Sequence, residues 1–103
     1  MAKHTNNYYH KRIREILDPI FKEIEKQHPG CTIYPYIVSW SRSNPFESWV
    51  NFDLCGHDAN ERHWTDRFIT ATSYENLYEM IKTYEHLKEN ILHSFNIKCL
   101  KIQ

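Results

Sequence analysis

The chain has 103 residues, a length typical of one folded domain, and its 41% hydrophobic and 25% charged fractions are those of a globular protein. Thirteen basic residues balance thirteen acidic ones, so the chain lacks the positive charge with which proteins hold nucleic acid non-specifically. Only two glycines are present, which disfavours a glycine-rich phosphate-binding loop.

The cysteines and the N-terminal segment indicate the compartment. Cys31, Cys55 and Cys99 are an odd number at wide spacings, unlike a disulfide framework. The N-terminus lacks the apolar core of a signal peptide, and no apolar run approaches the length of a membrane span. We therefore expect a single cytoplasmic domain over residues 1–103, with reduced thiols, no membrane partner and a frayed segment at residues 1–6.

An apolar stripe at helical spacing predicts a first helix that ends at the stop signal formed by residues 28–30. Its members are Tyr9, Ile13, Ile16, Leu17, Ile20, Phe21 and Ile24. Asn6 or Asn7 is the expected N-cap. Pro19 interrupts the stripe without shifting its phase. The pattern therefore predicts either one helix kinked at Pro19 or two short helices, the second capped by Asp18.

Three β-rich segments follow. The first covers residues 31–41 and contains Pro35, which predicts an edge strand or a bulge because proline cannot donate a ladder hydrogen bond. The second covers residues 46–54 and should form a hairpin with the first. After a polar loop at residues 55–61, a third strand is expected over residues 64–71.

The longest apolar stripe covers residues 72–95 and predicts one amphipathic helix, with Thr72 and Glu75 in a capping box. The stripe consists of Leu77, Met80, Ile81, Tyr84, Leu87, Ile91 and Phe95. Asn96 is expected to end the helix, and residues 97–102 either add a short strand or trail off. The predicted fold is α+β in the order α-β-β-β-α, with an antiparallel sheet and both helices on one face.

The aromatic side chains of the predicted hairpin indicate a binding surface. Alternation places four of them on one side: Tyr34, Tyr36, Trp40 and Trp49. If the aliphatic side meets the helices, these aromatics and Arg42 at the hairpin tip form an exposed patch of the kind that carries protein–protein hot spots. The reverse assignment, with the aromatics in the core, fits the sequence equally well because register cannot be fixed from sequence.

Cys55, His57 and His63 are the candidates for a metal site or a thiol-dependent active site. Structural zinc sites usually show two tight ligand pairs, and only one pair is visible here, so a fourth ligand would have to come from Cys31 or Cys99. A solvated polar loop is the simpler interpretation. We expect no metal, no cofactor and no enzymatic activity, and a small metal- or thiol-dependent enzyme is the second alternative function.

The leading hypothesis is a non-catalytic binding protein that covers a surface of a macromolecular partner, with a protein favoured. Small stand-alone chains of this kind are common among phage and mobile-element accessory proteins, including inhibitors of host defence, which puts such an inhibitor among the expected functions.

The first alternative function is a module that stacks the bases of RNA or single-stranded nucleic acid on the aromatic side of the hairpin. Phosphate contacts would then come from Lys11, Arg12, Arg14, Arg42, Arg62 and Arg67. Double-stranded RNA-binding domains share the predicted order of elements. They carry a lysine cluster where residues 72–76 of this chain are polar to acidic, so nothing assigns the chain to that family.

Overall fold

The computed structural model describes residues 4–102 and confirms the predicted α+β class. Its elements are α1 (Asn6–Gln27), β1 (Tyr34–Ser43), β2 (Phe46–His57), β3 (His63–Ala71), α2 (Tyr74–Lys82) and α3 (Leu87–Lys98). The segment expected to fray, 1–6, lies partly outside the described residues, and Asn6 already belongs to α1. Within residues 4–102, none of the helices is both long and apolar enough to cross a membrane.

The N-cap of the first helix lies one residue before the first of its two predicted positions. Thr5 is the N-cap, and its hydroxyl accepts a 3.2 Å hydrogen bond from the backbone N–H of Tyr8. The prediction of Asn6 or Asn7 as the N-cap was wrong, because both residues already lie in the first turn of the helix. An N-cap residue precedes that turn, and its side chain accepts a hydrogen bond from an N–H group within it. The predicted stripe is confirmed at its centre, with Ile13, Leu17, Phe21 and Ile24 all buried.

Pro19 lies inside one uninterrupted helix, so the alternative of two short helices is wrong. Its ring removes the N–H that the carbonyl of Glu15 would otherwise bind. Both residues are exposed, and the unpaired carbonyl therefore faces the solvent side of the helix. The helix ends at the predicted stop signal, where Gly30 adopts a φ of 93° that a side chain would strain.

The three strands form one antiparallel sheet in the order β1-β2-β3. Trp40 lies opposite Trp49, and His57 lies opposite His63. The prediction of a loop from Cys55 was wrong, because β2 continues to His57 and leaves only residues 58–62 as the connection. That connection is closed by Asp58 Oδ1, which accepts two 2.9 Å hydrogen bonds from backbone N–H groups of the loop.

The helices cover one side of the sheet, here called the inner face. Its side chains belong to a single buried cluster together with the stripe of α1 and the apolar residues of α2 and α3. The sheet contributes Val50, Phe52, Leu54, Trp64, Ile69 and Ala71. The opposite side is here called the outer face. Its residues alternate with those of the inner face along β1 and β2, and on β3 the alternation is interrupted at Phe68, which has no partner in the register of β2.

The predicted single helix over residues 72–95 is divided into α2 and α3. Ser73, not Thr72, caps α2, and its hydroxyl accepts a 3.0 Å bond from the N–H of Asn76. Residues 83–86 separate the two helices, and His86 has the left-handed φ of 62° that redirects the chain.

Asn96 does not end the last helix, and residues 97–102 add no strand to the described sheet. Leu87, Ile91, Phe95 and Cys99 are buried at every fourth position. The helical pattern of burial therefore continues past Asn96, and the backbone N–H of Cys99 still donates to the Phe95 carbonyl over 2.8 Å.

Candidate functional site

The outer face of the sheet carries an exposed group of aromatic side chains, here called the aromatic patch. Its members are Tyr34, Tyr36, Trp40 and Trp49. Tyr36 is 48% exposed and Trp40 is 53% exposed, while Trp49 is half-buried directly across from Trp40. The sequence left open which side of the hairpin is buried. The structure places the aliphatic side against the helices and the aromatic side outward.

The patch borders a strip of polar side chains that are already paired with one another across β2 and β3. Asn51 accepts a 3.1 Å hydrogen bond from the Thr70 hydroxyl. Farther along the same side, Asp53 forms a salt bridge with Arg67, and Asp53 also lies opposite Tyr36. Because these groups satisfy one another, the outer face presents aromatic surface next to polar groups that need no rearrangement before binding.

Sequence reasoning did not assign this strip to the site. The alternation on β2 placed Asn51 and Asp53 on the side of Trp49, which is the one signal that the sequence contains. Their partners on β3 could not be predicted from the sequence, because the register between β2 and β3 shifts at Phe52/Asp53. A shift of one residue moves every later side chain to a different partner.

Arg42 lies on the outer face near the hairpin tip, as predicted from its position. Its guanidinium is 2.7 Å from the carboxylate of Glu47, its neighbour across the hairpin, and both side chains are about half exposed. The third strand ends at Ala71, opposite Val50. Residues 40–49 therefore form a two-stranded arm that extends past the rest of the sheet.

The cations proposed for phosphate contacts do not form a basic track. Four of the six are in ion pairs: Arg12 with Glu15, Arg14 with Asp18, Arg42 with Glu47 and Arg67 with Asp53. They are also divided between α1, which packs on the inner face, and the outer face of the sheet. The carboxylates beside the aromatic patch would repel phosphates placed there.

The metal candidates also lie on the outer face, but only two of them come together. The rings of His57 and His63 are 5.4 Å apart between centroids. Cys55 is 6% exposed, and its Sγ lies 3.3 Å from the hydroxyl of Thr65. Among residues 4–102, no three His, Cys, Asp or Glu side chains are grouped so that they could hold a metal ion.

The other two thiols, considered as sources of a fourth ligand, lie together beside the end of β2, where Cys99 Sγ is 3.9 Å from the backbone carbonyl of His57. Cys31 and Cys99 are buried beside the loop that follows β2. Burial raises the pKa of the Cys99 thiol from 9.0 to about 12, and its contact with Cys31 adds to the shift. A thiol that stays protonated at neutral pH is a weak nucleophile and a poor metal ligand. Within residues 4–102 these two thiols do not combine with His57 and His63 into a group that could hold a metal ion.

Comparison with known proteins adds no relative to this description. No protein-family model matches the chain, and neither a curated protein nor a solved structure matches it significantly.

Proposed function

We propose that the protein is a non-catalytic binding protein that covers a surface of a protein partner with its aromatic patch. The observation that supports this proposal most directly is the exposure of Tyr36 and Trp40 on the side of the sheet opposite the buried cluster that contains the helices. Tyrosine and tryptophan are enriched at the residues that contribute most binding energy in protein interfaces. An exposed cluster of them is uncommon on proteins that do not bind a partner there.

The charges around the patch favour a protein over a nucleic acid. Arg42 and Arg67, the two arginines of the outer face, are each neutralised by a neighbouring carboxylate. A nucleic-acid site would need free cations at these positions to replace the counterions of the phosphates. Mixed, paired charges around aromatic side chains are instead typical of the rim and centre of protein interfaces.

Occlusion is the mode of action that we attach to this proposal. A sheet face braced on its inner side by packed helices is a broad surface that covers its target rather than enclosing a small ligand. Among small proteins that act in this way, inhibitors of host defence carried by phages and mobile elements are the class that we propose for this chain.

The test compares binding by the wild type with binding by single alanine variants. Tagged protein is incubated with lysate of its native host, with and without nuclease, and each captured protein is then titrated against purified variants. Trp40→Ala and Trp49→Ala should each weaken binding by about 2 kcal/mol, or about 30-fold. Phe46→Ala is the matched control, because Phe46 is 75% exposed on the inner side of the same arm and should leave binding unchanged.

Three results would count against the proposal. Loss of the captured material after nuclease treatment would indicate the nucleic-acid alternative. Wild-type affinity in folded Trp40→Ala and Trp49→Ala proteins would move the contact to another surface. A drop of several degrees in the melting temperature of these variants, with weakened binding in Phe46→Ala too, would show that the aromatics support the fold rather than the contact.

A further inference from the structure

We propose that the free edge of β1 pairs with the same edge of a second copy of the chain, so that two sheets join into one. Within the described residues β1 has a neighbouring strand, β2, on one side only. This inference does not depend on the aromatic patch binding a partner. It rests on two observations. The first is the set of backbone groups of β1 that are not bonded to β2, and the second is the set of residue pairs that form when β1 pairs with β1 of a second copy.

The phase of the β1–β2 ladder fixes which residues of β1 point away from β2. Thr32 donates its N–H to the His57 carbonyl over 2.9 Å, and the register then continues without a shift to Ser43 and Phe46. In an antiparallel pair, residues alternate between bonding to the neighbour and pointing away from it. The even-numbered residues of β1 therefore bond to β2, and the odd-numbered residues point to the free edge.

The two ends of this edge differ in how they are protected. At the start, the outward N–H of Ile33 is already donated to Glu25 Oε2 over 3.1 Å, and Pro35 has no N–H to offer. Farther along, no hydrogen bond within the described part of the chain covers the outward groups of Ile37, Ser39 and Ser41. Natural edge strands usually carry charges, prolines or bulges against pairing. Residues 37–41 carry none of these, so this half of the edge is available to a strand.

The open half of the edge is complementary to itself. An antiparallel pair centred on Ser39 places Ser39 against Ser39 of the second copy and brings Ile37 against Ser41 of that copy. On the outer face, the same register places Val38 against Trp40 and Tyr36 against Arg42 of the second copy. These are an apolar cross-strand pair and a cation–π pair, both of which stabilise neighbouring strands.

Nothing charged opposes a like charge in this arrangement. Arg42 is the one charged residue of β1, and each copy places it against an aromatic ring. The pairing also stops before the edge covered by Glu25, so that hydrogen bond is kept. Two three-stranded sheets thereby become a single six-stranded sheet, with both aromatic patches on the same outer face.

Ser39 provides a charge-swap test, because the two copies of this residue would lie about 5.5 Å apart at the axis. Sedimentation equilibrium of the wild type should show a monomer–dimer equilibrium. Ser39→Lys and Ser39→Glu should each weaken self-association at least tenfold, because like charges then meet. An equimolar mixture of the two variants should restore dimers by pairing opposite charges. Ser48→Lys is the matched control, since Ser48 is an exposed serine of β2 that is not on this edge.

A second measurement needs no variant. Hydrogen exchange of the Ile37, Ser39 and Ser41 amides should slow as the concentration of the wild-type protein rises, while exchange at residues of β3 should not change. A wild type that remains monomeric up to about 1 mM, the weak end of specific association, would overturn the proposal. So would dimers that persist unchanged in both Ser39 variants, or failure of the folded variants to associate when mixed.

Discussion

Ser94 Oγ donates a 2.6 Å hydrogen bond to Asp66 Oδ2, and this bond joins α3 to β3. Asp66 lies opposite Leu54 on the inner face of the sheet, where the surrounding positions are apolar. Ser94 is buried on α3. A carboxylate on a face that packs against helices needs a partner, because removing it from water without one is costly. The bond therefore also fixes how α3 is placed on the sheet.

We expect Ser94→Ala to lower the free energy of unfolding by about 1.5–3 kcal/mol, the range for hydrogen bonds to charged groups. Urea denaturation measures this loss. Ser48→Ala, at an exposed serine of β2, should change stability by less than about 0.5 kcal/mol. Asp66→Ala, alone and combined with Ser94→Ala, tests the assignment of this bond. If the two side chains interact, the loss of unfolding free energy in the double variant will differ from the sum of the losses in the two single variants.

The core prediction concerns α2. Ile81 is 2% exposed in the main buried cluster, whereas its neighbour Met80 is 37% exposed. Ile81→Ala should therefore cost about 2–5 kcal/mol of unfolding free energy, because it leaves a cavity among packed side chains. Met80→Ala removes a side chain of similar size from the same helix and should cost much less. Equal losses for the two variants would contradict the orientation of α2.

The same two residues show what the sequence could not reveal about the last helix. One straight helix over residues 72–95 would centre its buried stripe on Tyr84, with Met80 nearer to that centre than Ile81. Instead, Met80 is exposed and Tyr84 is half-buried, while Leu77 and Ile81 are fully buried. Two helices joined at residues 83–86 can each turn a different set of side chains to the core. The spacing of apolar residues predicts the buried side of each helix, but it does not predict that the chain changes direction between α2 and α3.

The two sides of the hairpin were predicted more accurately than the last helix. Side chains alternate along a strand, so only two assignments of the buried side are possible. Alternation groups Tyr34, Tyr36, Trp40 and Trp49 on one side and leaves Val50, Phe52 and Leu54 on the other, and only the choice of the buried side was open. That choice depends on which side the helices cover, which is a tertiary property. The polar pairs Asn51–Thr70 and Asp53–Arg67 also depend on the register between β2 and β3. That register shifts at Phe52/Asp53, and the sequence pattern does not predict the shift.

Metal analysis tests the histidines of the outer face. We expect purified protein to carry no stoichiometric zinc and to keep its melting temperature when a chelator is added. The reason is that His57 and His63 approach each other without a third ligand from residues 4–102, while the Cys55 thiol is buried against Thr65. One zinc per chain by elemental analysis, lost in Cys55→Ser, would contradict this and support the metal-dependent alternative.

The last prediction concerns pH and Cys99. Burial raises the pKa of this thiol from 9.0 to about 12, with Cys31 adding to the shift, so the folded protein holds the thiol proton more tightly than the unfolded chain does. Unfolding at alkaline pH therefore releases this proton and becomes more favourable as pH rises. The stabilising contribution is complete below about pH 9 and is lost between about pH 9 and pH 12.

The experiment follows the slope of unfolding free energy against pH for the wild type and for Cys99→Ala. The wild type should lose stability more steeply than the variant above about pH 9, and below that pH the two slopes should agree. Comparing slopes rather than absolute values removes the constant cost of the cavity that the alanine leaves. Lysines and tyrosines titrate in both proteins and cancel in the difference. Parallel curves throughout the alkaline range would mean that the Cys99 thiol ionises as readily in the folded protein as in the unfolded chain, and hence that the end of α3 opens to water.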